Sequence, residues 1–301
     1  MKRPLRQWLR GSMVALVTPF KNGRVDVAGL RRLVDWHVAQ GTSGLVPCGT
    51  TGESATLSHA EHDQVIELVI QAARGRIPVI AGSGSNNTAE AIRLTRHAQQ
   101  AGADAALLIS PYYNRPTQEG LYQHFRAVAD AVKIPLVLYN IASRTGVNIE
   151  PETFARLAAI KNIVGVKEAS GSLEQMSRIV QLCGASFILI SGDDALTLPV
   201  LALGGTGVIS VVANILPARV EELVRRFEQG KLAEARKLHY ELLAITKAMF
   251  LETNPIPVKT AMGLMGLIDP ELRLPLCPMT PANLEKLTAA LKQYRLLKRS
   301  R

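Results

Sequence analysis

Short apolar runs alternate with longer stretches of helical periodicity along the whole chain, one pair about every 25 to 30 residues. Eight apolar runs read as strands, at residues 13–18, 44–48, 78–82, 105–110, 136–140, 163–167, 187–191 and 207–210. Between them apolar residues recur at three- and four-residue intervals, as in Leu30, Leu33, Val34 and Val38, or Val220, Leu223, Val224 and Phe227. That spacing gathers them on one face of a helix. Helix starts are marked too: Ser58 followed by Glu61 has capping-box spacing, and Asn87 followed by Glu90 repeats it. A strand, a helix and a return to a parallel strand need about this much chain, and eight such units close into a barrel without unpaired edges. The pattern therefore predicts an α/β fold, a (β/α)8 TIM barrel over residues 11–229. A basic segment, 1–10, precedes it and a C-terminal helical extension, 230–301, follows. In that extension helical patterns cover 231–251 and 281–297, with Asn254-Pro255-Ile256-Pro257 interrupting the run.

The strand assignment selects the chemistry, because barrel enzymes build their sites at the C-terminal ends of the strands. Collected there are Gly49-Thr50-Thr51-Gly52-Glu53, then Ser83 and Gly84, Tyr112 and Tyr113, Tyr139, Lys167, Gly192 and Asp193, and Ile209. Lys133 and Lys161 precede strands and Lys259 falls outside the barrel, so Lys167 is expected to be the one lysine on the catalytic face. A lysine at a strand end is ordinarily solvated. This one closes a buried-type run, Val-Gly-Val-Lys, where desolvation would keep its amine partly neutral and nucleophilic. Attack on a ketone would give a Schiff base, which lets the adjacent carbon release a proton. Tyr139, one strand spacing of about 4.8 Å away, is placed to shuttle that proton. The Gly-Thr-Thr-Gly turn offers N–H and hydroxyl groups suited to a carboxylate, although the same sequence can be a plain tight turn.

Composition changes little in this picture but excludes other classes. The net charge of +10 invites a nucleic-acid reading, yet nine of those charges lie at the ends, on Lys2, Arg3, Arg6 and Arg10 and on Lys292, Arg295, Lys298, Arg299 and Arg301. A nearly neutral body with basic, frayed ends and no aromatic-basic interleaving is not a nucleic-acid reader. No apolar run reaches the length of about 18 residues that a membrane span needs, and 13–17 is too short for a secretory leader, so a cytoplasmic protein is expected. Cys48, Cys183 and Cys277 have no metal or redox spacing. His59 and His62 do not complete His-Glu-x-x-His, and Gly82-Ser83-Gly84 lacks the last glycine of a dinucleotide fingerprint.

Four segments carry a resemblance to a known family: Gly-Thr-Thr-Gly-Glu-Ser at 49–54, Pro-Tyr-Tyr-Asn-Arg-Pro at 111–116, Tyr139-Asn140 with Ser143-Arg144-Thr145-Gly146, and Val166-Lys167-Glu168. From Gly11 to about Leu291 the chain resembles the pyruvate-dependent class I aldolases and synthases, the dihydrodipicolinate synthase and N-acetylneuraminate lyase family. Within it the combination is most similar to the dihydrodipicolinate (4-hydroxy-tetrahydrodipicolinate) synthase branch of the diaminopimelate route to lysine. The alternative is another pyruvate aldolase, acting on a sialic acid or a 2-keto-3-deoxy sugar acid. The resemblance implies that Lys167 forms a Schiff base with pyruvate, that Thr50, Tyr113 and Tyr139 relay protons, and that Thr51 holds the pyruvate carboxylate. It implies further that Arg144 receives the carboxylate of L-aspartate 4-semialdehyde, that Gly192 and Ile209 line the pyruvate pocket, and that no metal or organic cofactor takes part. Tyr113 would reach into a neighbouring subunit, which implies a homodimer paired into a tetramer. Ser54, Ala55, His59, His62, Asn86, Glu90 and Tyr112 correspond to the family's feedback site for L-lysine. Ala142 departs from the family's usual proline, in the loop that carries Arg144.

Overall fold

The structure, a computed structural model, describes residues 4–297. Eight strands form one parallel sheet: β1 (Gly11–Ala15), β2 (Gly44–Val46), β3 (Ile80–Gly82), β4 (Ala105–Ile109), β5 (Leu136–Asn140), β6 (Ile163–Glu168), β7 (Ile188–Ser191) and β8 (Gly207–Ser210). Their order is β2-β1-β8-β7-β6-β5-β4-β3. The two ends of that order meet through a parallel bridge between Leu45 and Val79, with Leu45 N–H donating to Pro78 O at 2.9 Å and Gly82 N–H to Pro47 O at 2.9 Å. The sheet is thus a barrel. Gly82 is required at the seam, since a Cβ there would lie 2.3 Å from Cys48 O.

Around the barrel lie α1 (Val27–Ala39), α2 (His59–Ala73), α3 (Thr88–Ala101), α4 (Gln118–Ala131), α5 (Pro151–Ala158), α6 (Leu173–Cys183), α7 (Thr197–Ala202) and α8 (Pro217–Glu228). Strands such as β5 and β6 are buried along their whole length because one face packs on helices and the other fills the barrel. Two apolar clusters result: Leu138 and Val166 join the strand–helix layer, while Met13, Ile80, Val137, Tyr139, Ile190 and Ile209 fill the interior. Helix α2 opens with the expected reciprocal capping box. At α3 the expectation is half right: the Asn87 side chain accepts from Ala89 and Glu90 N–H, but Glu90 turns away toward Ser85 and His59.

Three further corrections concern elements that periodicity did not reveal. Residues 4–10 are not frayed. After a helical turn, Leu5–Trp8, Leu9 is fully buried in the barrel interior, tied by Thr206 Oγ1 donating to Leu9 O at 2.9 Å, and Arg10 pairs with Glu228 at 2.7 Å. A plug of this kind closes the N-terminal end. Strand β1 ends at Ala15, not residue 18, because Val17 N–H bonds the Asn214 side chain and not a strand. Beyond α8 come α9 (Leu232–Ala248), α10 (Ile256–Leu264) and α11 (Pro281–Gln293). The proline cluster that interrupts the pattern begins α10, with proline in its first turn where the missing N–H costs nothing. Among the described residues no helix is long and apolar enough to cross a membrane.

Candidate active site

Alternation along β6 turns Lys167 into the barrel and Glu168 outward. Lys167 stands in register with Tyr139 on β5 and Ile190 on β7. Its side chain is 6% exposed, and Nζ lies 4.1 Å from the centre of the Tyr139 ring. Burial pulls the ammonium down to about 8; Asp194 opposes that shift and Arg144 adds to it. Burial pushes the Tyr139 phenol up to about 12, against the Arg144 charge and a hydrogen bond with Thr50. At neutral pH the pair is therefore an amine that readily loses its proton beside a phenol that keeps its own. Such a pair can form an iminium and move protons around it.

The surroundings hold that pair in place. A Cβ on Gly192 would sit 3.2 Å from Lys167 Cε and 2.7 Å from Ala169 Cβ, so a side chain there would crowd the lysine. Ile209 is buried in the same interior cluster as Tyr139. Of the acidic pair after β7, Asp193 is the one expected at the strand end, but its carboxylate caps the next turn, accepting from Ala195 N–H at 2.8 Å. It is Asp194 that acts on Lys167, its carboxylate fixed by Ser210 Oγ and by the N–H groups of Val211 at 2.9 Å and Val212 at 3.3 Å. Behind Lys167, the buried Glu168 accepts from Asn140 Nδ2 at 3.0 Å and Ser170 N–H at 2.7 Å, locking β6 to β5.

Thr50 and Thr51 stand in the turn after β2. Thr50 faces a cavity of about 490 Å3, whereas Thr51 is 2% exposed and its hydroxyl accepts from Asn254 Nδ2 at 3.0 Å. Arg144 lies in a helical turn, Ala142–Thr145, that Gly146 ends with φ 74°. The turn forms with alanine at 142, and Arg144 Nη2 donates to Asn254 O at 3.1 Å. Asn254 thus touches both Thr51 and Arg144, from beyond α9, and its role had no signal in the sequence.

The same cavity extends from Thr50, Tyr139 and Arg144 to Ser54, Ala55, His59, His62, Glu90 and Tyr112. His59 Nε2 lies 2.6 Å from Glu90 Oε1, and Ser85 Oγ bonds the other oxygen. These bonds, Ser85 first, hold the Glu90 carboxyl below its usual range. Burial lowers His62 to about 4, so it is neutral. Asn86 is outside the cavity lining, its carbonyl accepting from Asn114 Nδ2 at 2.9 Å. Tyr113 does not join Thr50 and Tyr139 within one chain: it is 91% exposed, on a backbone with φ 70°. Lys259 needs correction as well. Its helix lies outside the barrel, but its fully buried ammonium reaches Glu53 at 2.5 Å, in the turn of the two threonines.

Comparison with known proteins bears on the family and the fold. The chain is 58% identical over 288 residues to the 4-hydroxy-tetrahydrodipicolinate synthase of Syntrophus aciditrophicus (strain SB), covering 96% of this chain and 99% of that one. Its fold superposes on dihydrodipicolinate synthase from Aquifex aeolicus with a TM-score of 0.95 at 51% identity, over 97% and 100% of the two chains. A synthase from Cyanidioschyzon merolae, solved with lysine bound, matches with a TM-score of 0.93 at 41% identity, over 96% and 99%. The family match itself runs over residues 8–294, nearly all of the described chain, and takes in every strand of the barrel. With Lys167 and Tyr139 facing each other inside that barrel, the chain belongs to the dihydrodipicolinate synthetase family.

Proposed function

We propose that this chain is a Schiff-base-forming lyase that condenses pyruvate with L-aspartate 4-semialdehyde, the 4-hydroxy-tetrahydrodipicolinate synthase reaction. The observation that carries the reading is the buried Lys167 amine, brought to about 8 by desolvation and set against the Tyr139 ring. The neutral amine attacks the ketone carbon of pyruvate, and loss of water leaves an iminium. That cation draws electrons from the methyl group, whose proton departs through Tyr139, Thr50 and a neighbouring copy's Tyr113. The resulting enamine carbon attacks the aldehyde carbon, and the aldehyde oxygen takes up a proton. The amine of the second substrate then displaces Lys167 at the iminium carbon, closing the ring. Every proton and electron pair in these steps is supplied by substrate or side chain.

In this reading Thr51 and the N–H groups of its turn hold the pyruvate carboxylate, Gly192 and Ile209 shape the pyruvate pocket, and Arg144 receives the carboxylate of the semialdehyde. Support for a homo-oligomer, a dimer paired into a tetramer, comes from Tyr113, whose ring is 91% exposed on a left-handed backbone. A biosynthetic condensation of small metabolites suits the cytoplasm. The cavity arm at Ser54, Ala55, His59, His62, Glu90 and Tyr112, together with Asn86, takes L-lysine as a feedback inhibitor; the lysine-bound relative supports this. A flat activity curve through millimolar lysine would sink that assignment.

The central test is chemical. Incubation with pyruvate and borohydride, followed by peptide mapping, should place the adduct on Lys167; an adduct on another lysine, or none, refutes the mechanism. Pyruvate consumption with aspartate semialdehyde, set against pyruvate release from N-acetylneuraminate or keto-deoxy sugar acids, decides the substrate.

A further inference from the structure

The turn 49–54 carries both threonines assigned to pyruvate, yet little within it fixes its shape. Its internal bonds are Gly52 N–H to Gly49 O at 3.1 Å, Glu53 N–H to Thr50 O at 3.1 Å and a long Ser54 N–H to Gly49 O at 3.4 Å. Cys48 and Glu53, at its two ends, have left-handed backbones with φ of 55° and 52°, a conformation that costs L residues energy unless the surroundings impose it. Thr18 Oγ1 donates to Gly52 O at 2.7 Å, and the remaining ties come from far along the chain. Glu53 is 4% exposed and points to Lys259 of α10, whose Nζ lies 2.5 Å from Glu53 Oε1, while Glu53 Oε2 accepts from Arg273 N–H at 3.2 Å. The Lys259 ammonium and the Arg273 guanidinium each lie 4.2 Å from the Phe20 ring, and Arg273 grips Glu61 through two bonds of 2.8 and 2.6 Å. Just before α10, Asn254 holds Thr51.

A dry ion pair is a poor stabiliser, since its attraction does little more than offset the desolvation of both charges. Apolar side chains of equal volume would hold α10 to the barrel as well. They would not aim a carboxylate, and with it the backbone of the turn. We propose that Lys259 is a positioning residue: through its ion pair with Glu53 it fixes the turn 49–54 so that Thr50 meets Tyr139 and Thr51 meets the pyruvate carboxylate. The inference rests on the pyruvate chemistry proposed above.

The test uses the full-length protein with Lys259→Met, Glu53→Gln and the two together. Either single change leaves a buried group without its partner, so a variant that unfolds there is no argument by itself. The double variant buries no charge at the pair and keeps side-chain volume. Its melting temperature should stay within a few degrees of the native protein, while the pyruvate KM rises and kcat falls, each by about tenfold, and the KM for aspartate semialdehyde stays within about twofold. Borohydride trapping on Lys167 should saturate at correspondingly higher pyruvate. Native pyruvate KM and kcat in the double variant overturn the proposal. So do equal losses in both KM values that track a lowered melting temperature, or failure of the double variant to fold, because each makes the pair merely structural. If instead the native protein traps no pyruvate at Lys167, the functional reading fails, not this one.

Discussion

Replacing Lys167 with methionine should abolish turnover and make the protein more stable. Methionine has nearly the length of lysine, fits the same channel beside Tyr139 and needs no hydration. The native lysine is held at about 8 against an ordinary value near 10.5, with burial as the main cause. At pH 7 the folded state therefore opposes the ammonium by about 3 kcal/mol, at 1.36 kcal/mol per pH unit. The sign follows from proton counts: between pH 8 and 10.5 the unfolded chain binds a proton that the folded one has released, so native stability rises with pH there. The variant lacks that dependence. Asp194 loses a nearby cation in the variant but keeps its bonds to Ser210, Val211 and Val212, so the gain is not cancelled. Denaturant unfolding at fixed protein concentration should show the variant more stable by about 2–3 kcal/mol at pH 7, and the difference should shrink toward zero by about pH 10.5. A variant that is less stable than the native protein, or a gap that does not change with pH, would refute the account of Lys167 as a desolvated amine.

Three other outcomes follow from the same geometry. The kcat/KM for pyruvate should rise with pH to a plateau above about 8, falling tenfold per unit on the acid side, as the protonated Lys167 cannot attack; a limb near the ordinary lysine value contradicts the burial argument. Arg144→Gln removes the cavity-wall charge and weakens the tie to Asn254 O, and should raise the KM for aspartate semialdehyde by about 10- to 100-fold with pyruvate trapping intact; an unchanged KM for the semialdehyde counts against Arg144 as its receptor. Leu9→Ala, at the fully buried plug of the barrel, should cost about 2–5 kcal/mol in unfolding measurements, whereas a frayed segment would cost nothing.

Legibility in the sequence followed the range of the interactions. β5 and β8 lie where the apolar runs placed them, and the Ser58 capping box forms as its spacing indicated, because these depend on residues a few positions apart. The Asn87 site failed in part because Glu90, with the same spacing, finds better partners in Ser85 and His59, the latter on another helix. Residues 4–10 look like a basic tail by charge alone, but Leu9 among the arginines fills the barrel end. Nothing local distinguishes Asp193 from Asp194, since Asp194 is fixed by Ser210, Val211 and Val212, on β8 and just after it.

The sequence by itself determined the strand and helix repeat, the closure it implies, and the lysine and tyrosine whose alternation turns both into one barrel. It also placed the threonine turn at the catalytic end, whereas Arg144 entered only through the family resemblance. Only the tertiary structure decided that Lys259 is bonded to Glu53 and Asn254 to Thr51, partners more than 200 positions apart, and that Asp194 and not Asp193 acts on Lys167. Periodicity is a local property and fixes which way a side chain faces. The electrostatics that tune Lys167 and hold its neighbours arise where distant segments exclude water together, which no spacing along the chain encodes.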